Sequence, residues 1–145
     1  MKLSKQGLNL IKKWEQFRAE VYFCAGGVLT QGYGHTRTTT HNSLPVTKPE
    51  AEIWLLQDID IFEHELKPIL NDIELRQCQY DAIVSFCFNL GVGAFERSNA
   101  YAHIKESPDR KQIADSWITF RNAGGVYLRG LMRRRIEELD LYYNW

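Results

Sequence analysis

Residues 15–36 read EQFRAEVYFCAGGVLTQGYGHT, and the fold turns on them. Just ahead, Ser4 can cap a helix on which Leu8, Ile11 and Trp14 recur at helical spacing, a period that fades after Phe17. Glu15 therefore falls on the last turn of that helix. Inside the stretch, Val21, Tyr22 and Phe23 favour a strand, Gly26 and Gly27 a turn, and Val28 to Tyr33 a second strand. A small hairpin thus follows the helix. Residues 37–46, RTTTHNSLPV, are polar and lack a period, so they read as loop or a short edge strand.

Further along, Thr47 with Pro49 and Glu50 has the form of a capping box, and Leu55, Ile59, Phe62 and Leu66 make one apolar stripe. This predicts a long helix over about 48–66, ended by Pro68, whose acids Glu52, Asp58, Asp60, Glu63 and Glu65 form a solvated face. From Gln77 to Leu90 apolar residues occupy every side, as expected for a central core helix stopped near Gly91. Three further helices are predicted: one after Ser98, one opened by Ser107 and Pro108, and one over about Arg129–Tyr143, the last two separated by Gly124 and Gly125. The class is α+β: a helix and hairpin lobe (about 1–46), a linking helix (about 47–67) and an all-helical lobe (about 68–145). A cleft between two such lobes is where a ligand would bind.

Composition agrees with one folded domain: 145 residues, 44% hydrophobic and 25% charged. Eighteen basic and eighteen acidic residues cancel, so no global field steers the chain toward nucleic acid or a membrane. Local asymmetry remains, with eight acids against two lysines over 48–74 and five arginines without an acid over 121–135. Cys24, Cys78 and Cys87 are an odd set without a CxxC pair, hence free thiols rather than disulfides or a zinc knuckle. MKLSKQGLNLIKKWEQF lacks a signal peptide's apolar run, and no stretch is apolar enough to span a bilayer. A protein made in the cytosol, without membrane insertion and monomeric, is expected.

Four glycines within residues 26–34, beside Glu15, Cys24, Thr30 and His35, leave several chemistries open. Phosphate binding is disfavoured, because neither GxxxxGK[ST] nor a full GxGxxG is present and the glycines lie in a hairpin. A metal site from Cys24, His35 and His41 matches no recurrent ligand spacing, and a Cys and His protease pairing Cys24 with His35 stays open. On composition alone, a glycine-bearing hairpin with a buried cysteine is the simplest reading.

Resemblance changes that balance. Glu15, Cys24 nine residues on and Thr30 six further, within EQFxxxVYxCxGGVxTxGYGHT, resemble the catalytic segment of phage-type lysozymes, the endolysin family. TKPEAEIWLLQDI resembles that family's linking helix, QYDAIVSFCFNLGVGAF its central helix and NAGGVYLRGLMRRRIEEL its C-terminal segment, so the likeness runs nearly end to end.

The resemblance implies a two-lobed fold and hydrolysis of the β-1,4 bond between N-acetylmuramic acid and N-acetylglucosamine in bacterial peptidoglycan. It makes Glu15 the general acid, kept protonated by a partly dry cleft, and puts Cys24 and Thr30 at the nucleophile or water site. Two residues depart from the commonest pattern: Cys24 stands where many members have Asp, and Gln16 where a glycine usually follows the acid. A thiolate could attack carbon or deprotonate water, whereas a neutral thiol does both poorly. Phe88 and Ser98 match positions lining the sugar-binding cleft, Phe88 being equally suited to the core. His35 resembles a structural histidine paired with an acid of the first lobe. One of Arg133, Arg134 and Arg135 is expected to reach Glu15. No cofactor and no metal are implied. The family's setting is phage or prophage lysis, with a separate membrane-permeabilising, holin-like protein giving access to the wall. The alternative is a catalytically weakened module that binds peptidoglycan without cutting it.

Overall fold

The computed structural model describes residues 1–144. Helix α1 (Lys5–Glu15) opens on Ser4, whose hydroxyl accepts the Gly7 N–H at 3.3 Å. Strands β1 (Arg18–Phe23) and β2 (Leu29–Gly32) form the expected antiparallel hairpin, with Tyr22 opposite Thr30. The register slips between Arg18 and Tyr22, a bulge that leaves the Ala19 carbonyl off the ladder. The Gln31 side chain and the Val46 N–H donate to that carbonyl at 3.2 and 3.0 Å, so the bulge is satisfied and the 37–46 segment is tied down at its end.

Helix α2 (Lys48–Leu70) starts at the Thr47 cap but outruns its predicted end, because Pro68 lies inside it. A proline in the final turn removes only one helical N–H, and the buried side chains of Leu66 and Leu70 carry the turn past it. Tyr101 then donates its hydroxyl to the Ile69 carbonyl at 2.8 Å, filling part of the open helix end. The acidic face is not wholly solvated. Asp58 and Glu63 are buried, the first against His35 and Arg37, the second accepting from the Leu3 N–H at 2.9 Å and the Tyr80 hydroxyl at 2.7 Å. The two acids are paired with partners far away in sequence, which offsets their burial.

Helix α3 (Gln77–Leu90) has the predicted span and ends where Gly91 takes φ +90°. Ala82, Ile83, Val84, Phe86 and Cys87 are fully buried on it, and α1, α2 and the later helices pack around them. Phe86 meets Phe95, Trp117 and Phe120 edge-on at centroid distances of 5.9, 4.9 and 5.1 Å, the aromatic centre of the core. The division of the chain near residue 46 groups α1 with the hairpin, yet α1 packs on α3, and the Ser4 N–H donates to Asp81 at 2.9 Å.

Beyond Gly91 come α4 (Val92–Glu96), α5 (Asn99–Glu106), α6 (Gln112–Trp117) and α7 (Arg129–Tyr142). Ser107 and Pro108 begin a turn rather than a helix; α6 starts only at Gln112, where apolar Ile113 and Trp117 can both reach the core. Gly124 and Gly125, both at positive φ, close a two-rung hairpin of β3 (Asn122–Ala123) and β4 (Val126–Tyr127). The whole is an α+β fold in which α2 joins a small hairpin unit to a helical body. No helix among the described residues is long and apolar enough to cross a membrane.

Candidate active site

Glu15 is the last residue of α1, and the chain turns sharply after it. Gln16 caps the helix at φ +56° and ψ 149°, the one non-glycine residue with positive φ among those described. That conformation suits glycine and strains a residue with a Cβ, and it aims the chain from helix into hairpin directly beside the carboxylate.

Two features fix Glu15. The Arg134 guanidinium on α7 donates to Oε1 at 2.6 Å from an almost wholly buried position. On the other side runs the backbone of Gly34, where a Cβ would lie 2.9 Å from the Glu15 Cδ. Gly34 also has φ +69°, so glycine is required there for space and for conformation alike. With Arg134 on Oε1, Oε2 is the oxygen left over Gly34.

Cys24 directly follows β1, partly exposed, its N–H donating to the Val28 carbonyl at 2.9 Å and its carbonyl accepting from Gly27 at 2.8 Å. This backbone clamp sets the hairpin turn. Thr30 is buried on β2, and its hydroxyl donates to the Val28 carbonyl at 2.8 Å, which leaves the oxygen as an acceptor. Tyr22 stands across from Thr30. Burial, then the Glu15 carboxylate, push the Tyr22 phenol above its ordinary value; Cys24 adds to the effect and Arg18, stacked 4.0 Å above the ring, opposes it. Tyr22 thus shares its electrostatic surroundings with Glu15 and Cys24.

The remaining expected residues divide. Phe88 is half-buried at the end of α3, its ring 5.3 Å from that of Phe62 on α2. Ser98 is buried and caps α5: its hydroxyl donates to the Phe95 carbonyl at 2.6 Å and accepts from the Tyr101 N–H at 3.1 Å. That hydroxyl is committed to the backbone, so the structure gives Ser98 a structural task. His35 is buried, with Nδ1 2.6 Å from Asp58 and Nε2 2.7 Å from Thr38. Its acid partner comes from α2, where the sequence reading places it in the first lobe; the pair fastens the hairpin to α2.

Of the three consecutive arginines, Arg133 is exposed, Arg134 reaches Glu15 and Arg135 is fully buried. Glu138, also fully buried, accepts from Arg134, Arg135, Ser85 and Trp117. It went unnoticed in the sequence because Arg and Glu spaced three and four apart on a helix read as a wet face. Among the described residues no cluster of three or more His, Cys, Asp or Glu side chains could hold a metal ion.

The profile of the phage lysozyme family matches residues 12–138. An endolysin of Acyrthosiphon pisum secondary endosymbiont phage 1 is 34% identical, over 98% of this chain and 98% of its own length. An endolysin of Bacillus phage B103 is 31% identical over 98% of this chain, which spans about half, 54%, of that relative. Among solved structures, the muramidase domain of SpmX from Asticaccaulis excentricus superposes with a TM-score of 0.87 at 30% identity, covering 99% of both chains. On sequence and on fold alike, the chain belongs to the phage lysozyme family.

Proposed function

We propose that the protein is a muramidase of the endolysin type, a glycoside hydrolase that cuts the β-1,4 bond between N-acetylmuramic acid and N-acetylglucosamine in peptidoglycan. The observation that carries this reading is the placement of Glu15: a carboxyl at a helix end, tethered by one oxygen to Arg134 and backed by Gly34, beside a hairpin bearing Cys24 and Thr30. Glu15 protonates the leaving glycosidic oxygen through Oε2. The Thr30 hydroxyl donates its hydrogen bond to the Val28 carbonyl, so its oxygen accepts a hydrogen bond from a water, and the Cys24 sulfur, as thiolate, takes that water's other proton as its oxygen bonds to the carbon. The water's lone pair then faces the carbon that loses the leaving group. In the variant in which the Cys24 thiolate is the nucleophile, sulfur bonds to the carbon as the leaving oxygen takes the Glu15 proton, and Glu15, now a carboxylate, takes a proton from the water that then displaces the sulfur. Phe88, with Phe62 beside it, supplies an aromatic surface for a sugar ring.

Access to the wall is proposed to depend on a separate holin-like protein that opens the inner membrane of the host. The test is direct. Purified protein added to sacculi releases new reducing ends and clears turbidity; sedimentation with intact sacculi would instead identify a glycan-binding module that has lost its chemistry with the customary Asp.

A further inference from the structure

Four charged side chains run in a line from the site into the helical core. Arg134 donates to Glu15 at 2.6 Å and to Glu138 at 3.2 Å, and Arg135 donates to the same Glu138 oxygen at 2.8 Å. Glu138 and Arg135 have no exposed surface and Arg134 keeps 3%. Burying such groups is costly, and apolar side chains of the same volume often serve stability as well or better. Arg135 is the hardest to explain by stability, because its Nε and Nη1 meet no acceptor among the described residues. Its guanidinium lies 5.0 Å from the centre of the Phe86 ring, and burial holds its pKa below the ordinary arginine value.

Charge supplies a reason. Arg134 and Glu138 alone would present Glu15 with a neutral pair; Arg135 restores one net positive charge behind the carboxylate. Glu138 is held from three helices, by Ser85 of α3 at 2.8 Å, by Trp117 of α6 at 2.9 Å and by its own α7 arginines. Arg134 is steadied further by donating to the Ser85 carbonyl at 3.0 Å.

We propose that Glu138 and Arg135 are positioning residues for the reaction: Glu138 holds the Arg134 guanidinium toward Glu15, and Arg135 offsets Glu138, so that the cluster sets the pH at which Glu15 carries its proton. The proposal rests on the reading of Glu15 as the general acid. Neither residue touches substrate; both act through Arg134. The charged groups that act on Glu15 are Arg134, with Arg135 behind it, from α7; from the hairpin the Tyr22 phenol feels the Glu15 carboxylate, and Arg18 and Cys24 in turn lie near Tyr22. Those facing Glu138 from other elements are Ser85, Trp117 and the Cys87 thiol, which burial and Glu138 push well above its ordinary value and so keep neutral.

The test follows the Glu15 carboxyl 13C resonance, identified by its loss in Glu15→Gln, through a pH titration of the full chain and three variants. In Glu138→Gln the carboxyl faces two cations and its midpoint falls by about one unit; in Arg135→Met it faces a neutral pair and the midpoint rises by about one unit. The double variant restores the balance and returns to within a few tenths of a unit of the parent. The alkaline limb of the pH–rate profile on peptidoglycan moves with each midpoint. A purely structural role would lower thermal stability without moving the midpoints in opposite directions. Shifts below about 0.2 unit, or of one sign in both single variants, overturn the proposal. If Glu138→Gln does not fold, the rise in Arg135→Met and the return in the double variant decide alone. A parent chain that leaves peptidoglycan uncut would sink the glycosidase reading, while the titration would still decide whether the cluster controls Glu15.

Discussion

The two walls of the candidate site are built by different physics. On the helical side, Glu15 is fixed by side chains that are themselves buried, with Arg134, Glu138, Ser85 and Trp117 interlocked across α3, α6 and α7. On the hairpin side, Cys24 and Thr30 are set by backbone hydrogen bonds of a tight turn, and Cys24 stays partly exposed. The first wall puts function and stability in the same residues; the second separates them. Substitutions should therefore behave differently on the two sides.

The largest effect is expected for Glu15→Gln, which keeps shape and removes the transferable proton. Reducing-end release should fall by about 10² to 10⁴ while the fold persists. Half the parent rate would take Glu15 out of the mechanism and dissolve the contrast. Next, Trp117→Ala opens a cavity where the indole packs 4.9 Å from Phe86 and 5.5 Å from Tyr142, and strips Glu138 of a donor. A loss of about 3–5 kcal/mol in urea unfolding is expected, with activity falling alongside. On the hairpin side, Cys24→Ala should cut the rate by about 10² yet leave stability within about 0.5 kcal/mol. Cys24→Asp should retain or raise activity. Equal turnover by the alanine variant would show that the sulfur has no chemical part. The smallest effect belongs to the joint between the walls: Gln16→Gly relieves the positive φ at an exposed position and should stabilise by about 1 kcal/mol, read as a higher urea midpoint.

The same contrast explains what could be read from the sequence. The hairpin, its turn glycines and the spans of α1 and α3 rest on local signals, namely a cap, a strand run, a glycine pair or a helical period, and each was legible. The burial of Asp58, Glu63 and Glu138 was not, because their partners His35, Tyr80 and Ser85 lie 23, 17 and 53 residues away. A charge on a helix reads as solvent-facing until the other elements are in place. Pro68 misled for a related reason: a proline's local penalty in a last turn yields to the burial of Leu66 and Leu70. The catalytic candidates Glu15, Cys24 and Thr30 could be named because the short stretch that holds them resembles the catalytic segment of the phage lysozyme family; the residues alone favoured a plain glycine-bearing hairpin. Arg134 could be narrowed only to a run of three arginines, and Gly34 emerged from its close approach to Glu15.

Glu15 and Arg134 are separated by 119 residues. The ion pair therefore cannot close during synthesis until the chain has been made through α7 and α7 has docked. Such a distant contact requires closure of a loop of 119 residues, an entropic cost that long-range topologies meet late and slowly in folding. The nascent polypeptide consequently carries its acid from the outset but lacks the cation that aligns it. Synthesis and docking of α7 is the event that assembles this half of the site.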